Sequence, residues 1–332
     1  AQLDAYLDTK YFDSPEGSIF ESYVEVYAST ITYVKNDDGV GRCNVQITQI
    51  LKKGDSIVDF NKTILENTEE SKEAVYENLM EVNRYVIDNQ VEYSLEVAIL
   101  DLNAVNATEQ IVTRKGLCNW SDLHCEISDI QLVATFKETE KQNVLSKSGY
   151  DLLPLLTDFY APEYSKIAYY FEVYNTLEHF GDDKFIVSHF IENSQSNTIV
   201  SAYAKTKREG AQEVIPVLNV FNIETLGSGD YNIVVEVRNK ENVVVEQKKM
   251  PFKRLSIAAD LSRENLKAVN YKGTFVEDMD SDSLDEYAFC LYPIVSDREN
   301  RTIDNQFKKF DDTLKRQFLY TYWFNVNQQL PQ

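Results

Sequence analysis

Apolar and polar residues alternate from Ile19 onward: Phe20, Ser22, Val24, Val26 and Ala28 fall on one face, and Glu21, Tyr23, Glu25 and Tyr27 on the other. A period of two marks a strand. The turn cluster NDDGVG leads to a second such run, in which Cys43, Val45, Ile47 and Leu51 share a buried face, and KKGD leads to a third, SIVDFNKTI. Residues 66–73 are highly polar and fit either a loop or a short helix. Strands resume at Leu79 with MEVNRYVI, then the run of Tyr93, then TEQIVTR and ISDIQLVATF, ending near Lys137. This predicts a first antiparallel β-sandwich over residues 1–140.

The polar stretch KETEKQNVLSKSG reads as a linker. Beyond it, KIAYYFEVYN, KFIVSHFIEN, NTIVSAYAKT, VIPVLNVFNI, YNIVVEVRN and VVVEQKKMPF predict a second sandwich over 146–255. In the first of these strands Ile167, Tyr169, Phe171 and Val173 face one way, and Tyr170, Glu172 and Tyr174 the other. The second sandwich is therefore expected to carry tyrosines on its outer face, and Tyr160, Tyr164, Tyr170 and Tyr174 form a candidate interaction surface.

One phrase occurs twice. Tyr93, Leu95, Val97, Ile99 and Asp101 correspond to Tyr231, Ile233, Val235, Val237 and Asn239, and each tyrosine follows a turn. In immunoglobulin-like sandwiches a tyrosine so placed pins a corner by hydrogen bonding back to the upstream backbone. Tyr93 and Tyr231 are thus assigned structural corners. The expected fold is mainly β: two tandem antiparallel immunoglobulin-like β-sandwiches followed by a C-terminal α-helical segment over 256–332.

That last segment has two apparent capping boxes, Ser283 with Glu286 and Ser296 with Glu299. Ile303, Phe307, Phe310, Leu314, Phe318 and Tyr322 then recur at intervals of four and three, which predicts one long amphipathic helix. Its stripe needs a partner, either the second sandwich or a domain after Gln332. Phe307, Phe310 and Phe318 therefore join the candidate interaction surface.

Composition supports packed cores: 332 residues, 43% hydrophobic and 12% aromatic. The balance of 33 Lys and Arg against 54 Asp and Glu gives a net charge of −21, which disfavours nucleic acid and anionic membrane surfaces. No apolar run approaches the roughly 18 residues of a membrane span. The chain opens on AQLDAYLDTKYF, consistent with a removed signal segment.

Chemistry is harder to find. The Gly227, Ser228, Gly229 triplet precedes a strand and reads as a turn, not a nucleophile elbow. No phosphate loop, dinucleotide fingerprint or His-Glu-x-x-His sequence is present. His189 lies inside a strand and reads as a satisfied, half-buried histidine beside the other two, His124 and His179. Asp278, Asp280 and Asp282 alternate as in a calcium loop, but the sixth-position glycine is missing and Phe289 stands twelfth. No catalytic, cofactor-binding or metal residues are assigned. Cys43 reads as a core thiol. Cys118 and Cys125 bracket a polar loop at a spacing that suits a short disulfide in an oxidising compartment, with two free thiols or a metal site using His124 as alternatives.

Taken together, LDAYLDTKYF, SDIQL, GYDLLPLLTDFY, FEVYNT, LGSGDYNIVVEVRNKEN and LYPIVSDREN resemble, in order and spacing, the region upstream of the name-giving motif in GWxTD domain-containing proteins of Bacteroidota. The motif itself is absent; in such proteins it follows a segment like FLYTYWFNVNQQLP, so the resemblance implies a further domain beyond residue 332. It also implies export to the periplasm or outer membrane. It supplies no catalytic residues.

The function expected from these readings is a non-catalytic scaffold or adaptor of the cell envelope, in secretion or outer-membrane biogenesis. Its partners would be envelope or outer-membrane proteins or further copies of itself. The alternative is a carbohydrate- or peptide-binding module that uses exposed tyrosines, with a carboxylate-pair hydrolase a more distant third.

Overall fold

The computed structural model describes residues 3–37, 39–69, 78–121, 124–295 and 303–329. The fold is mainly β, with several antiparallel sheets and a C-terminal helical region.

In the first unit β1 (Ala5–Ser14), β2 (Gly17–Val26) and β6 (Leu79–Ile87) form one antiparallel sheet. The other centres on β4 (Gly41–Lys53), flanked by β5 (Ser56–Glu69) and β7 (Glu92–Asp101), with β8 (Gln110–Leu117) beyond β7. A short β3 (Val34–Lys35) pairs with the start of β4. The period-two pattern explains the packing: Leu7, Phe20 and Val24 from one sheet share a core with Cys43, Val45, Ile47, Leu51, Leu95 and Val97 from the other. The edges of the two sheets meet where Gly116 of β8 lies under Tyr11 of β1. A Cβ at Gly116 would fall 1.5 Å from the Tyr11 hydroxyl, so any larger residue there would force the Tyr11 ring to shift. The polar stretch from residue 66 continues β5 as strand through Glu69, and the rest of it lies outside the described residues.

Two expected boundaries move. The run ISDIQLVATF does not close the first unit. Its strands β9 (Glu126–Ile127) and β10 (Gln131–Glu138) pair instead with β14 (Lys166–Tyr174), with Leu132 opposite Tyr169. The first core therefore reaches Trp120 and the second already holds Cys125, so the change of unit comes before Cys125, not near 140. The supposed linker is also structured. It turns into β11 (Ser146–Lys147) and β12 (Tyr150–Pro154), and β12 pairs with both β11 and β10. Alternation shows that a segment is a strand and leaves open which neighbour completes its hydrogen bonds.

β17 (Val214–Asn222) completes this sheet beside β14. Facing it are β13 (Phe159–Tyr160), β19 (Val244–Arg254), β18 (Gly229–Arg238), β15 (Phe185–Asn193) and β16 (Thr198–Glu209), in that order. Only the two-residue β13 pairs in parallel among the described strands. Ile167, Tyr169, Phe171, Phe185, Ile233, Val235 and Phe252 fill the core between the two sheets. A short α1 (Thr176–Phe180) follows β14.

The C-terminal region has its own core. α2 (Ile257–Asp260), α3 (Arg263–Leu266), α4 (Ser281–Phe289) and α5 (Asp312–Gln329) enclose Leu261, Leu266, Leu284, Leu291, Ile303, Phe318 and Tyr322. The expected single long helix is interrupted. Phe307 lies in a 3-10 turn and Phe310 is extended, with φ −80° and ψ 147°, before α5 begins at Asp312. Phe307, Phe310 and Phe318 are buried in this local core and offer no surface, a correction to their assignment. The cap also differs. Asp280, not Ser283, caps α4, accepting the Ser283 N–H at 2.8 Å, while Ser281 Oγ donates to Asp312 Oδ1 at 3.0 Å. Asp280 therefore serves as a helix cap. Ser296 and Glu299 lie outside the described residues.

Candidate functional site

The tyrosine face of β14 is covered. Tyr170 and Tyr174 are 1% and 2% exposed because β1 and β2 of the first unit lie over them. Phe12 packs against Tyr170 with ring centroids 6.2 Å apart, the Asp13 N–H donates to Tyr174 Oη at 3.0 Å, and Trp120 meets Tyr174 edge-on. Tyr160 is buried against Phe252 and Tyr164, and Tyr164 packs on the same core. The candidate surface of Tyr160, Tyr164, Tyr170 and Tyr174 is therefore corrected to interior packing. Phenol rings gain more by filling this junction than by facing water.

Two carboxylates lie in the junction, each satisfied by groups the fold brings to it. Glu172 accepts from the hydroxyls of both Tyr170 and Tyr174, its neighbours two residues away on the same strand face. Burial first, then the Glu172 charge, holds both phenols well above their ordinary range. Tyr170 Oη also lies 2.9 Å from Ser148 Oγ.

Glu21 accepts from Tyr23 and makes ion pairs with Arg84 Nε and Lys147 Nζ, each at 2.6 Å. Lys147 arrives from β11, in the segment expected to be a linker. Its Nζ also donates to Gln131 Oε1 at 2.5 Å and to Tyr23 Oη at 3.3 Å, and stands 3.5 Å from the centroid of the Phe12 ring. Burial pushes the Lys147 ammonium down to about 8, against the opposing pull of Glu21. Arg84 donates twice to the Ser146 carbonyl at 3.2 Å, fastening the same hairpin to the first unit.

None of Glu21, Arg84, Gln131 and Lys147 was singled out from the sequence. A signal for the carboxylates was present: Glu21 with Tyr23, and Tyr170, Glu172 and Tyr174, set acid and phenol two apart on one strand face. Nothing local marks Lys147.

The second unit meets the helical region around its corner. Tyr231 Oη donates to the Gly227 carbonyl at 3.1 Å. Asp260 accepts the Ser228 N–H at 2.6 Å and the Asn325 amide at 2.9 Å, and burial raises its carboxyl. A Cβ on Gly227 would meet Asp260 Oδ1 at 2.7 Å. Beside this contact lies an open cleft of about 910 Å³, with Tyr203, Thr225, Asp260 and Glu264 among its lining residues. In the first unit Tyr93 Oη donates to the Asp88 carboxylate at 3.0 Å and accepts the Asp88 N–H at 3.1 Å, so it reaches an amide and a side chain where Tyr231 reaches a carbonyl.

Cys118 and Cys125 are free thiols, which corrects the expected disulfide. They point into different cores, and burial pushes their thiols up to about 11 and about 12. No cluster of three or more metal-ligating side chains occurs among the described residues. His189 Nδ1 lies 2.6 Å from Tyr169 Oη; Asn219 donates to that hydroxyl, and Lys205 donates to Asn219. Burial, then Lys205, lowers the His189 imidazole to about 4. The exposed loop histidine His124 meets His179 edge-on at 6.2 Å. Among the described residues no helix is long and apolar enough to cross a membrane.

No protein-family model and no curated protein matches the chain in sequence. Among solved structures it is similar to the transglutaminase of red sea bream (9% identity, 76% of this chain and 31% of that one, TM-score 0.24). It is also similar to a glycosyl hydrolase family 2 member from Bacteroides cellulosilyticus (13%, 71% and 28%, TM-score 0.25). A third is a DUF4785 family protein from Legionella pneumophila (8%, 75% and 56%, TM-score 0.22). The chain spans about a third or less of the first two and just over half of the third. Likeness at this level carries no functional argument.

Proposed function

We propose that the chain is a non-catalytic scaffold of the bacterial cell envelope, which holds partner proteins at a fixed spacing in an outer-membrane or periplasmic assembly. The observation that carries this reading is the junction: the first unit's Glu21 is neutralised by Lys147 from the second unit's hairpin. Such a contact has two buried halves that are costly to separate, which suits a spacer that transmits position. Placement in the envelope rests on the resemblance to GWxTD domain-containing proteins.

We read both β units as immunoglobulin-like. In the second unit, support comes from the Tyr231 bond to the carbonyl four residues upstream and from β10, β14 and β17 facing β19, β18, β15 and β16.

Affinity purification of the tagged full-length protein from native membranes, with mass spectrometry, tests the scaffold reading. A reproducible envelope partner is expected. A free monomer with no specific companion overturns it. Carbohydrate or peptide binding is the second reading; with Tyr160, Tyr170 and Tyr174 buried and Tyr164 partly buried, it rests on the 910 Å³ cleft with its hydroxyl and carboxylate lining. A blank glycan array removes it.

A further inference from the structure

An exposed strand edge offers unpaired backbone groups, and proteins usually guard it with lysines, prolines or brevity. Three edge strands of this protein are guarded: β16 presents Lys205, Lys207 and Arg208, β17 has Pro216 near its start, and β8 carries Arg114 and Lys115. β5 differs. It runs for 14 residues without Pro or Gly and with one Lys, and it pairs with β4 alone among the described strands.

Its outward row is also unusually apolar. Phe60 and Ile64 are 56% and 51% exposed, with Lys62, Glu66 and Thr68 alternating on the same face. The inner row is anchored within its own unit: Leu65 packs on the core, and Asn61 donates to Asn83 of β6 at 2.5 Å.

The order of this row is self-complementary when reversed. With two copies antiparallel about an axis at Ile64, Ile64 faces Ile64 of the second copy, and Lys62 faces its Glu66. Phe60 then covers its Thr68. Both charge pairs form at once, because the axis makes each contact twice. Within this row, centring the axis on Lys62 or on Glu66 would set like charges directly opposite, which opposes pairing; the Ile64 register does so only on the other row, where Asp59 near one end of the strand faces Glu69 at the other.

We propose that β5 is a homodimer interface, in which two copies of this chain pair their β5 strands antiparallel about Ile64 and continue one sheet across both molecules. Main-chain hydrogen bonds supply the adhesion and the Lys62–Glu66 pairs set the register. The occupant is a second copy because the charge order matches itself.

The proposal extends the scaffold reading without resting on it, since envelope partners can bind a monomer or a dimer. Light scattering coupled to size exclusion measures the mass directly. The wild type is expected at twice 38.3 kDa. Lys62→Glu and Glu66→Lys each place like charges opposite and are expected to run as monomers. The double variant Lys62→Glu/Glu66→Lys restores the pairs and the dimer. Far-ultraviolet circular dichroism checks that each variant folds. In a Cys290→Ser background, Ile64→Cys is expected to give a crosslinked dimer with copper–phenanthroline, because the two Cα atoms would lie about 4.5–5.5 Å apart. A wild type that stays monomeric to high concentration, single variants that dimerise like the wild type, or an Ile64→Cys chain that does not crosslink would each overturn the proposal.

Discussion

Lys147 Nζ lies 2.6 Å from Glu21 Oε2 across 126 positions of sequence, with the two side chains 7% and 2% exposed. One carboxylate serves two cations, since Arg84 also binds it. The arrangement is therefore asymmetric. Glu21→Leu leaves Lys147 and Arg84 facing each other and is expected to cost about 3–5 kcal/mol. Lys147→Met leaves Glu21 with Arg84 and Tyr23 and should cost less, roughly 1–3 kcal/mol. Urea unfolding of the two variants measures the order, and equal losses would contradict the shared-carboxylate geometry.

The same lysine makes stability depend on alkaline pH. Its ammonium is ordinarily at 10.5 and is lowered to about 8 by burial among Glu21, Arg84, Tyr23, Glu172 and Tyr170. Between these values the unfolded chain holds the extra proton, so this contribution to stability grows as pH rises from about 8 to 10.5. The difference between wild type and Lys147→Met should widen over that window. The tyrosines titrate in both proteins and cancel in the comparison.

His189 acts on the acid side. Its imidazole falls from 6.5 to about 4 in the fold, so the unfolded chain takes up the proton first as pH drops. Stability attached to His189 is present above 6.5 and is lost as pH falls through 4, in total about 3 kcal/mol at 1.36 kcal/mol for each unit. His189→Gln should flatten this part of the stability profile. An unchanged slope would show that the buried imidazole is not what titrates.

Tyr231→Phe removes the hydroxyl that reaches the Gly227 carbonyl and is expected to cost about 1 kcal/mol. Gly227→Ala acts on a different contact, forcing a methyl against Asp260 and loosening the hold on Asn325 of α5. Hydrogen exchange should show faster opening of α5 in Gly227→Ala and little change there in Tyr231→Phe.

Four cysteines provide a direct check on the junction. Cys43, Cys118 and Cys125 are buried and Cys290 is exposed. An aromatic disulfide reagent should titrate one thiol in the folded protein and four after unfolding. A Cys118–Cys125 bond would reduce the second number to two.

The sequence by itself determined the strands, because inward and outward residues must alternate wherever one face is dry. It placed Ile167, Tyr169, Phe171 and Val173 opposite Tyr170, Glu172 and Tyr174, and the structure keeps that division: the first four share the second unit's core, while Tyr170 and Tyr174 pack towards the first unit. It also marked Tyr231 as following a turn, since the bond to Gly227 is local. Tertiary structure decided what covers each face. The tyrosine face of β14 would be a surface on an isolated sandwich, and it is interior because β1 and β2 dock on it. The same docking gives Lys147, in a stretch polar enough to read as linker, a carboxylate contributed by a distant strand. Pairing partners were equally beyond local reading, as β10 shows: its alternation suits either sheet, and the free edge of β14 selects one. Periodicity records which side of a segment is buried, while the identity of the burying partner depends on contacts between residues far apart in the chain.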